Sequence, residues 1–340
     1  MKLSKSKYSI PIIVCIVIII GIIYNTFFTA LSGREETQYI YVDNNDNLDS
    51  VYNKVEYIAN GKSTMGFRTL VRHSNYGKNI KVGRFEVKPG DCTFKIFRHL
   101  KNGQQNPLNL TIPSVRTKEK LASELSKKLM LDSLTLLKAL NNEDTCKKYG
   151  YDTTTVICMF IPNTYEVYWN IPLSKFLNKM HKESQNFWNA ERTQKASSLK
   201  LSPEEVITLA SIIDEETANN AEKPMVAGMY YNRLKTGMPL QADPTIKYAR
   251  KDFAAKRIYI GWLSINSPYN TYRNIGLPPG PIRIPSVAGI DAVLNLIHHD
   301  YLYMCAKEDF SGTHNFAVTY AEHQKNAAKY SAALNSRGIE

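Results

Sequence analysis

From Ile10 to Phe28 the chain runs for about 19 residues without a charged side chain, a length that at 1.5 Å per residue nearly matches a hydrocarbon core of roughly 30 Å. This predicts one membrane-spanning helix. Lys2, Lys5 and Lys7 precede the run and Arg34-Glu35-Glu36 follow it, which orients the amino end toward the cytoplasm and leaves roughly 300 residues outside. Ala30-Leu31-Ser32 offers a weak small-x-small cleavage site, so a removed signal peptide competes with a retained anchor. The apolar stretch is longer than a usual signal core, which favours the anchor. No cysteine follows it in a lipoprotein-like position.

The remaining sequence is long enough for one or two globular domains with real cores, since 43% of the 340 residues are hydrophobic. A balance of 43 basic against 31 acidic residues gives a net charge of +12, compatible with nucleic acid, an anionic membrane surface or an acidic polymer. Export of most of the chain argues against nucleic acid. The cysteines at 15, 92, 146, 158 and 305 form no CxxC or Cys/His spacing, so neither a metal site, a redox pair nor a cofactor is predicted.

The most informative stretch is Ser202 to Tyr248. Ser202 as N-cap, Pro203 at the first helical position and Glu205 closing a capping box predict a helix start. At about 100° per residue, Val206, Leu209, Ala210 and Ile213 form one stripe with Ile207 and Ile212 on its shoulders. Asp214, Glu215 and Glu216 then diverge: Glu215 is expected to point to water, while Asp214 and Glu216 border the core. A carboxyl held against apolar neighbours loses solvation of its charged form, so its pKa rises, as general-acid catalysis near neutral pH requires. A structural role for acids at a helix end remains open on this pattern alone. Residues two apart on a helix diverge by roughly 200°, so Asp214 and Glu216 make a poor acid/base pair across one bond. A second helix follows, with Asn219 or Asn220 as cap and Gly237 as stop, and Asp243-Pro244 reads as the N-cap and first residue of a short helix through Tyr248.

LASIIDEET, VAGMYYNRLKTGMPLQADPTIKY, SPYNTYRNIGLPPGPI, DYLYMCA and GTHNFAVTYAEH, in this order and spacing, resemble the endolytic murein transglycosylases of the MltG or YceG-like family over about residues 50 to 335. The resemblance implies that the second Glu of an E-x-E-T run is the catalytic acid, which falls on Glu216 before Thr217. Asp214 stands where the family usually has Glu, and Glu215 where a basic residue is common.

The implied architecture is α+β: a cytoplasmic stub and anchor over 1–33, a small LysM-like subdomain over 34–112, a helical connector over 113–155 and a mixed α+β catalytic domain over 156–340. The first subdomain reads as short strands and turns, then a helix near Phe94 to Lys101 ending at Gly103; GRFEVKPGDCTFKIFRHLKNG carries the LysM likeness. Such modules bind N-acetylated glycans, though a spacer lifting the catalytic domain off the membrane fits equally. Ser114 to Asn141 reads as two helices, Met159 to Tyr168 as an aromatic-rich core segment and Lys175 to Lys195 as one amphipathic helix. Ser286 is expected to cap a helix to Ile297, Tyr301 to Ala306 reads as a buried strand, and Thr319 with Glu322 predicts a capping box before a last helix to about Asn335.

Glu216 as a single acid and base, cutting the MurNAc-GlcNAc bond inside nascent glycan strands to leave 1,6-anhydroMurNAc ends, is the activity implied. The resemblance implies Asn232, Gln241, Tyr269 and Asn270 as candidates for binding the glycan; for Tyr269 and Asn270, an aromatic face and an amide on a proline-stiffened loop also suit sugar rings and acetamides. His314 and His323 rank below them. The implied partners are peptidoglycan strands, the cytoplasmic (inner) membrane with the catalytic domain on its periplasmic or extracytoplasmic side, and peptidoglycan synthases. A muramidase using water would need a second carboxylate, and a glycan-binding scaffold without turnover is the non-enzymatic alternative.

Overall fold

The computed structural model describes residues 6–255 and 257–337. Lys2 and Lys5 lie outside them. The chain is mixed α+β and divides into two units: Met1–Leu110 with Lys128–Met130 and Glu166–Ile171, and Thr111–Lys127 with Leu131–Tyr165 and Pro172–Glu340.

In the first unit α1 (Ser6–Phe27) contains the apolar window Ile10–Phe27, with mean hydropathy 2.6 and none of it buried. It is a helix long and apolar enough to cross a membrane. A two-stranded antiparallel sheet follows, β1 (Gln38–Val42) on β2 (Gly83–Val87), with Ile40 opposite Phe85 and Val42 opposite Gly83. The period-two alternation turns Ile40 and Val42 inward, while Tyr41 points outward. Between the strands lie α2 (Leu48–Ala59) and α3 (Met65–Arg72), and after β2 comes α4 (Thr93–Asn102), closed by Gly103 at φ 67°. Strands and turns were expected over this span with only the last helix. The correction is physical: Val51, Val55, Ile58 and Ala59 recur at helical spacing and are buried, and Asn47 caps α2 by accepting from the Ser50 N–H (2.9 Å).

The boundary between units falls within two short strands, β3 (Leu108–Thr111) and β4 (Thr164–Val167). The second unit begins with α5 (Lys118–Ser126), α6 (Ser133–Leu140) and α7 (Glu143–Lys148), capped by Thr117, Asp132 and Asn142. The single helix expected over 175–195 is two, α8 (Leu173–Phe187) and α9 (Ala190–Ser198), because Asn189 leaves helical geometry to accept the Arg192 N–H and start a new helix.

α10 (Pro203–Glu216) is the axis of this unit. Both halves of its capping box form: the Glu205 N–H donates to the Ser202 hydroxyl, and the Ser202 N–H donates to the Glu205 carboxylate. The expected stripe understates its burial, since every residue from Val206 to Ile213 is buried, Thr208 and Ser211 included. Burial on every side makes α10 a core helix of this unit. Around it pack α9, α11 (Lys223–Lys235), α12 (Asp243–Arg250) and α13 (Val287–Leu294). The hydroxyl of Ser211 is satisfied inside the core, donating to Thr208 O (2.6 Å) and accepting from the Ile282 N–H (3.0 Å). The antiparallel hairpin of β5 (Tyr303–Ala306) and β6 (His314–Ala317), packed on α14 (Tyr320–Ser336), completes the unit.

Candidate active site

The last turn of α10 sends its three acids in three directions, as the helical angle dictates. Asp214 turns to the N-terminus of α13, where it accepts from the N–H and hydroxyl of Ser286 and pairs with the buried ammonium of Lys223 (2.7 Å). Glu215 does not face water. It is held bidentately by Arg116 (2.7 Å to each oxygen) and again by Arg283 (3.0 Å), so the expected solvent-facing charge is a neutralised, mostly buried one.

Glu216 enters a cleft of ≈ 380 Å³ bounded by α10, α11, the start of α12, the β5–β6 hairpin and α14. Its pKa is pushed up to about 7, chiefly because burial strips solvent from the charged form. The negative charge of Asp243 adds to the rise, and the C-terminal end of the α10 dipole acts in the same direction. The Tyr230 hydroxyl, which donates to Glu216 Oε1 (2.7 Å), opposes it, as do the more distant Lys247 and Arg233. Glu216 thus meets a neutral donor, where its two neighbours meet cations.

Asp243 is the first residue of α12 and caps nothing with its side chain, contrary to the N-cap role expected for it. Its carboxylate lines the cleft and accepts from the Tyr272 hydroxyl (2.5 Å). Arg233 also lines the cleft. Its guanidinium donates to Leu302 O (2.6 Å) and Leu240 O (2.7 Å), neutral acceptors, and among the described residues it makes no direct ion pair. Opposite, His314 binds Glu222 through its ring (2.9 Å) and its N–H (2.6 Å), while His323 stacks on Tyr303 with ring centroids 5.5 Å apart. Burial lowers the His323 pKa, so the ring is neutral near pH 7.

A model of the YceG-like family matches residues 40–329 of this sequence. The chain belongs to that family. Similar proteins include the endolytic murein transglycosylase of Bacillus subtilis, 29% identical over 290 residues, covering 83% of this chain and 78% of that protein. The endolytic murein transglycosylase of Streptococcus pneumoniae is 26% identical over 84% of this chain but 56% of its own length, so the chain spans about half of that relative. The crystal structure of a putative YceG-like protein from Listeria monocytogenes superposes with a TM-score of 0.56 at 26% identity, covering 86% of this chain and 99% of that one.

Within this YceG-like chain, Glu216 and Gln241 share the cleft. Gln241 holds a left-handed φ of 51°, a strained value for a residue with a Cβ, while its N–H donates to Thr271 O (3.0 Å). Asn232 is not in the lining: its amide donates to His299 O (2.6 Å) and Tyr301 O (3.1 Å), tying α11 to the segment before β5. Asn270 is fully buried, donating to Leu263 O (2.9 Å) and Ile265 O (2.8 Å) and accepting the Tyr272 N–H (3.0 Å). Tyr269 packs against Tyr248 with ring centroids 4.7 Å apart and the rings tilted by 47°, and it borders a separate cleft of ≈ 290 Å³. Sequence reasoning passed over Tyr230, Arg233, Asp243 and Tyr272 as cleft residues. Tyr230 carried a usable signal, standing fourteen residues after Glu216 on the adjoining helix, but only packing shows which face of α11 turns to α10.

Proposed function

We propose that the protein is a membrane-anchored endolytic lytic transglycosylase of peptidoglycan, with Glu216 as its one proton donor and acceptor. The observation that carries this is the Glu216 carboxyl in its cleft, held by the Tyr230 hydroxyl and with its pKa pushed up to about 7, in the range a general acid needs. The names of the similar proteins supply the substrate. Protonated Glu216 gives its proton to the oxygen joining N-acetylmuramic acid to N-acetylglucosamine, and that bond breaks as positive charge develops at the muramic acid C1. The muramic acid 6-hydroxyl attacks C1 and loses its proton to the Glu216 carboxylate, which restores the acid and leaves a 1,6-anhydro end. Because the substrate supplies the nucleophile, one carboxyl suffices. Tyr230 keeps the Glu216 carboxyl aimed into the cleft, and Gln241 is the amide placed to touch the glycan. Asn270 and Asn232 act indirectly, Asn270 by setting the backbone that presents Tyr272 and Asn232 by fixing the approach to β5.

The anchor is α1, with the second unit on the extracytoplasmic side, where nascent strands and their synthases are. The groove of ≈ 590 Å³ lined by Tyr39, Tyr41, Tyr57 and Trp169 in the first unit supports a substrate-holding role for the LysM-like part, since exposed aromatic faces suit sugar rings.

One observation favours a second reading. Asp243 places another carboxylate in the cleft, close enough for its charge to raise the Glu216 pKa, and a carboxylate there could activate water for a muramidase. Mass spectrometry of products from uncrosslinked glycan strands separates the two. Anhydro ends that vanish with Glu216→Gln and persist with Asp243→Asn support the transglycosylase; reducing ends lost with both variants replace it by the hydrolase. Intact strands from folded wild-type protein leave a binding module.

A further inference from the structure

We propose that the surface of the first unit around the exit of α1 is immersed in the headgroup region of the bilayer, so that this unit stands on the membrane and is not suspended from it by a tether. The inference rests on α1 being a membrane span. It is independent of Glu216 chemistry.

The end of α1 does not lead into a free linker. Leu31, four residues past the helix, is 2% exposed in the core of the first unit, and its N–H donates to Asp91 O (2.9 Å). Ala30 forms an antiparallel bridge with Cys92 just before α4, and the Lys62 ammonium donates to Ala30 O (3.2 Å) and Ser32 O (3.3 Å). Gly66 of α3 lies so close to the last turn that a Cβ on it would sit 2.3 Å from Thr26 O. These contacts from α3, α4 and the loop between α2 and α3 determine where the span leaves the unit.

Around that exit large apolar side chains are exposed, Tyr24 (62%), Phe28 (50%), Met65 (68%) and Phe94 (40%), beside the polar Asn25, Lys62 and Ser63. The rings of Tyr24 and Phe28 lie 6.3 Å apart and those of Phe28 and Phe94 5.8 Å, an aromatic ladder that continues from the span onto α4. Aromatic side chains concentrate at the boundary between hydrocarbon and headgroups, and α1 sets the depth of this boundary because its apolar run gives out in the same turn. A cleft of ≈ 500 Å³ beside that turn is polar, lined by Asn25, Thr26, Thr29, Lys62 and Ser63 among others, as headgroup contact requires. Lipid is the occupant because the apolar surface is continuous with the span itself.

The test uses the full chain with an environment-sensitive fluorescent amino acid at position 18 or 65, reconstituted in phosphatidylcholine and phosphatidylglycerol vesicles. Position 18, within the span, is expected to be quenched by doxyl-labelled lipid. At position 65 shallow doxyl lipid is expected to quench at least half as strongly, with aqueous iodide quenching several-fold less than it quenches the same amino acid free in solution. Full iodide quenching at 65 without lipid quenching, while 18 remains lipid-quenched, overturns the proposal and leaves the anchor intact. Loss of lipid quenching at 18 overturns both together, and neither result touches the assignment of Glu216.

Discussion

Asp214, Glu215 and Glu216 are consecutive acids at the α10 terminus, the first two paired with cations and the third not. The first two meet Lys223, Arg116 and Arg283 and serve as struts between α10, α11, the segment before α5 and the approach to α13. Glu216 meets a tyrosine hydroxyl in a cleft where burial raises its pKa. What separates the paired carboxylates from the one with a raised pKa is the pairing that tertiary packing supplies, not residue type or local sequence.

The largest effect that would break this comparison is on catalysis: Glu216→Gln is expected to lower strand cleavage by about 100- to 10,000-fold, the usual share of a general acid, while Asp214→Asn spares chemistry in whatever protein folds. Next comes stability. Asp214→Asn leaves the Lys223 ammonium buried without its partner and should cost about 3–5 kcal/mol in denaturant unfolding, so a neutral result would mean the pair is not buried in solution.

The reverse holds for Glu216. Its folded pKa of about 7 lies above the unfolded value of 4.5, so its favourable contribution is complete below pH 4.5, where both states bind the proton, and is lost as pH rises through 7. Glu216→Gln should therefore be more stable than wild type by roughly 3 kcal/mol at pH 8, at 1.36 kcal/mol per pKa unit, with the difference fading toward pH 4. Equal stability at both pH values would place the carboxyl in water.

A subtler contrast comes from Asp243. Removing its charge with Asp243→Asn lowers the Glu216 pKa, so the alkaline limb of the kcat/KM profile should move to lower pH; an unmoved limb would show that the two carboxyls do not sense each other. The smallest effect is expected of Tyr230→Phe, which removes the hydrogen bond to Glu216 Oε1, costs about 1 kcal/mol of stability and shifts the same limb the other way.

Much of the second unit was legible in the sequence because its signals are local. The Ser202–Glu205 and Thr319–Glu322 capping boxes both form, Ser286 does cap α13, and the apolar spacing after Val206 does mark a core helix. The wheel also separated Glu216 from its neighbours. It placed Glu215 in water because the arginines that bind it come from about 100 and about 70 residues away, and no periodicity within one helix reports them. Asp243 was misjudged for the same reason: Asp-Pro before a helix is a strong local cap pattern, and only the arrival of Tyr272 shows that its carboxylate is engaged elsewhere. In the first unit, α2 was missed because its buried Val51, Val55 and Ile58 alternate with Tyr52 and Tyr57, a mixture of β-branched and aromatic residues that also suits strands.

The carboxyl titration of Glu216 tests the account most directly. With 13C-labelled glutamate in the full chain, one side-chain carboxyl resonance absent from Glu216→Gln is expected to titrate near pH 7. A difference resonance that titrates at 4.5 or below would mean that the cleft leaves Glu216 solvated and ionised, and the general acid would have to be sought elsewhere.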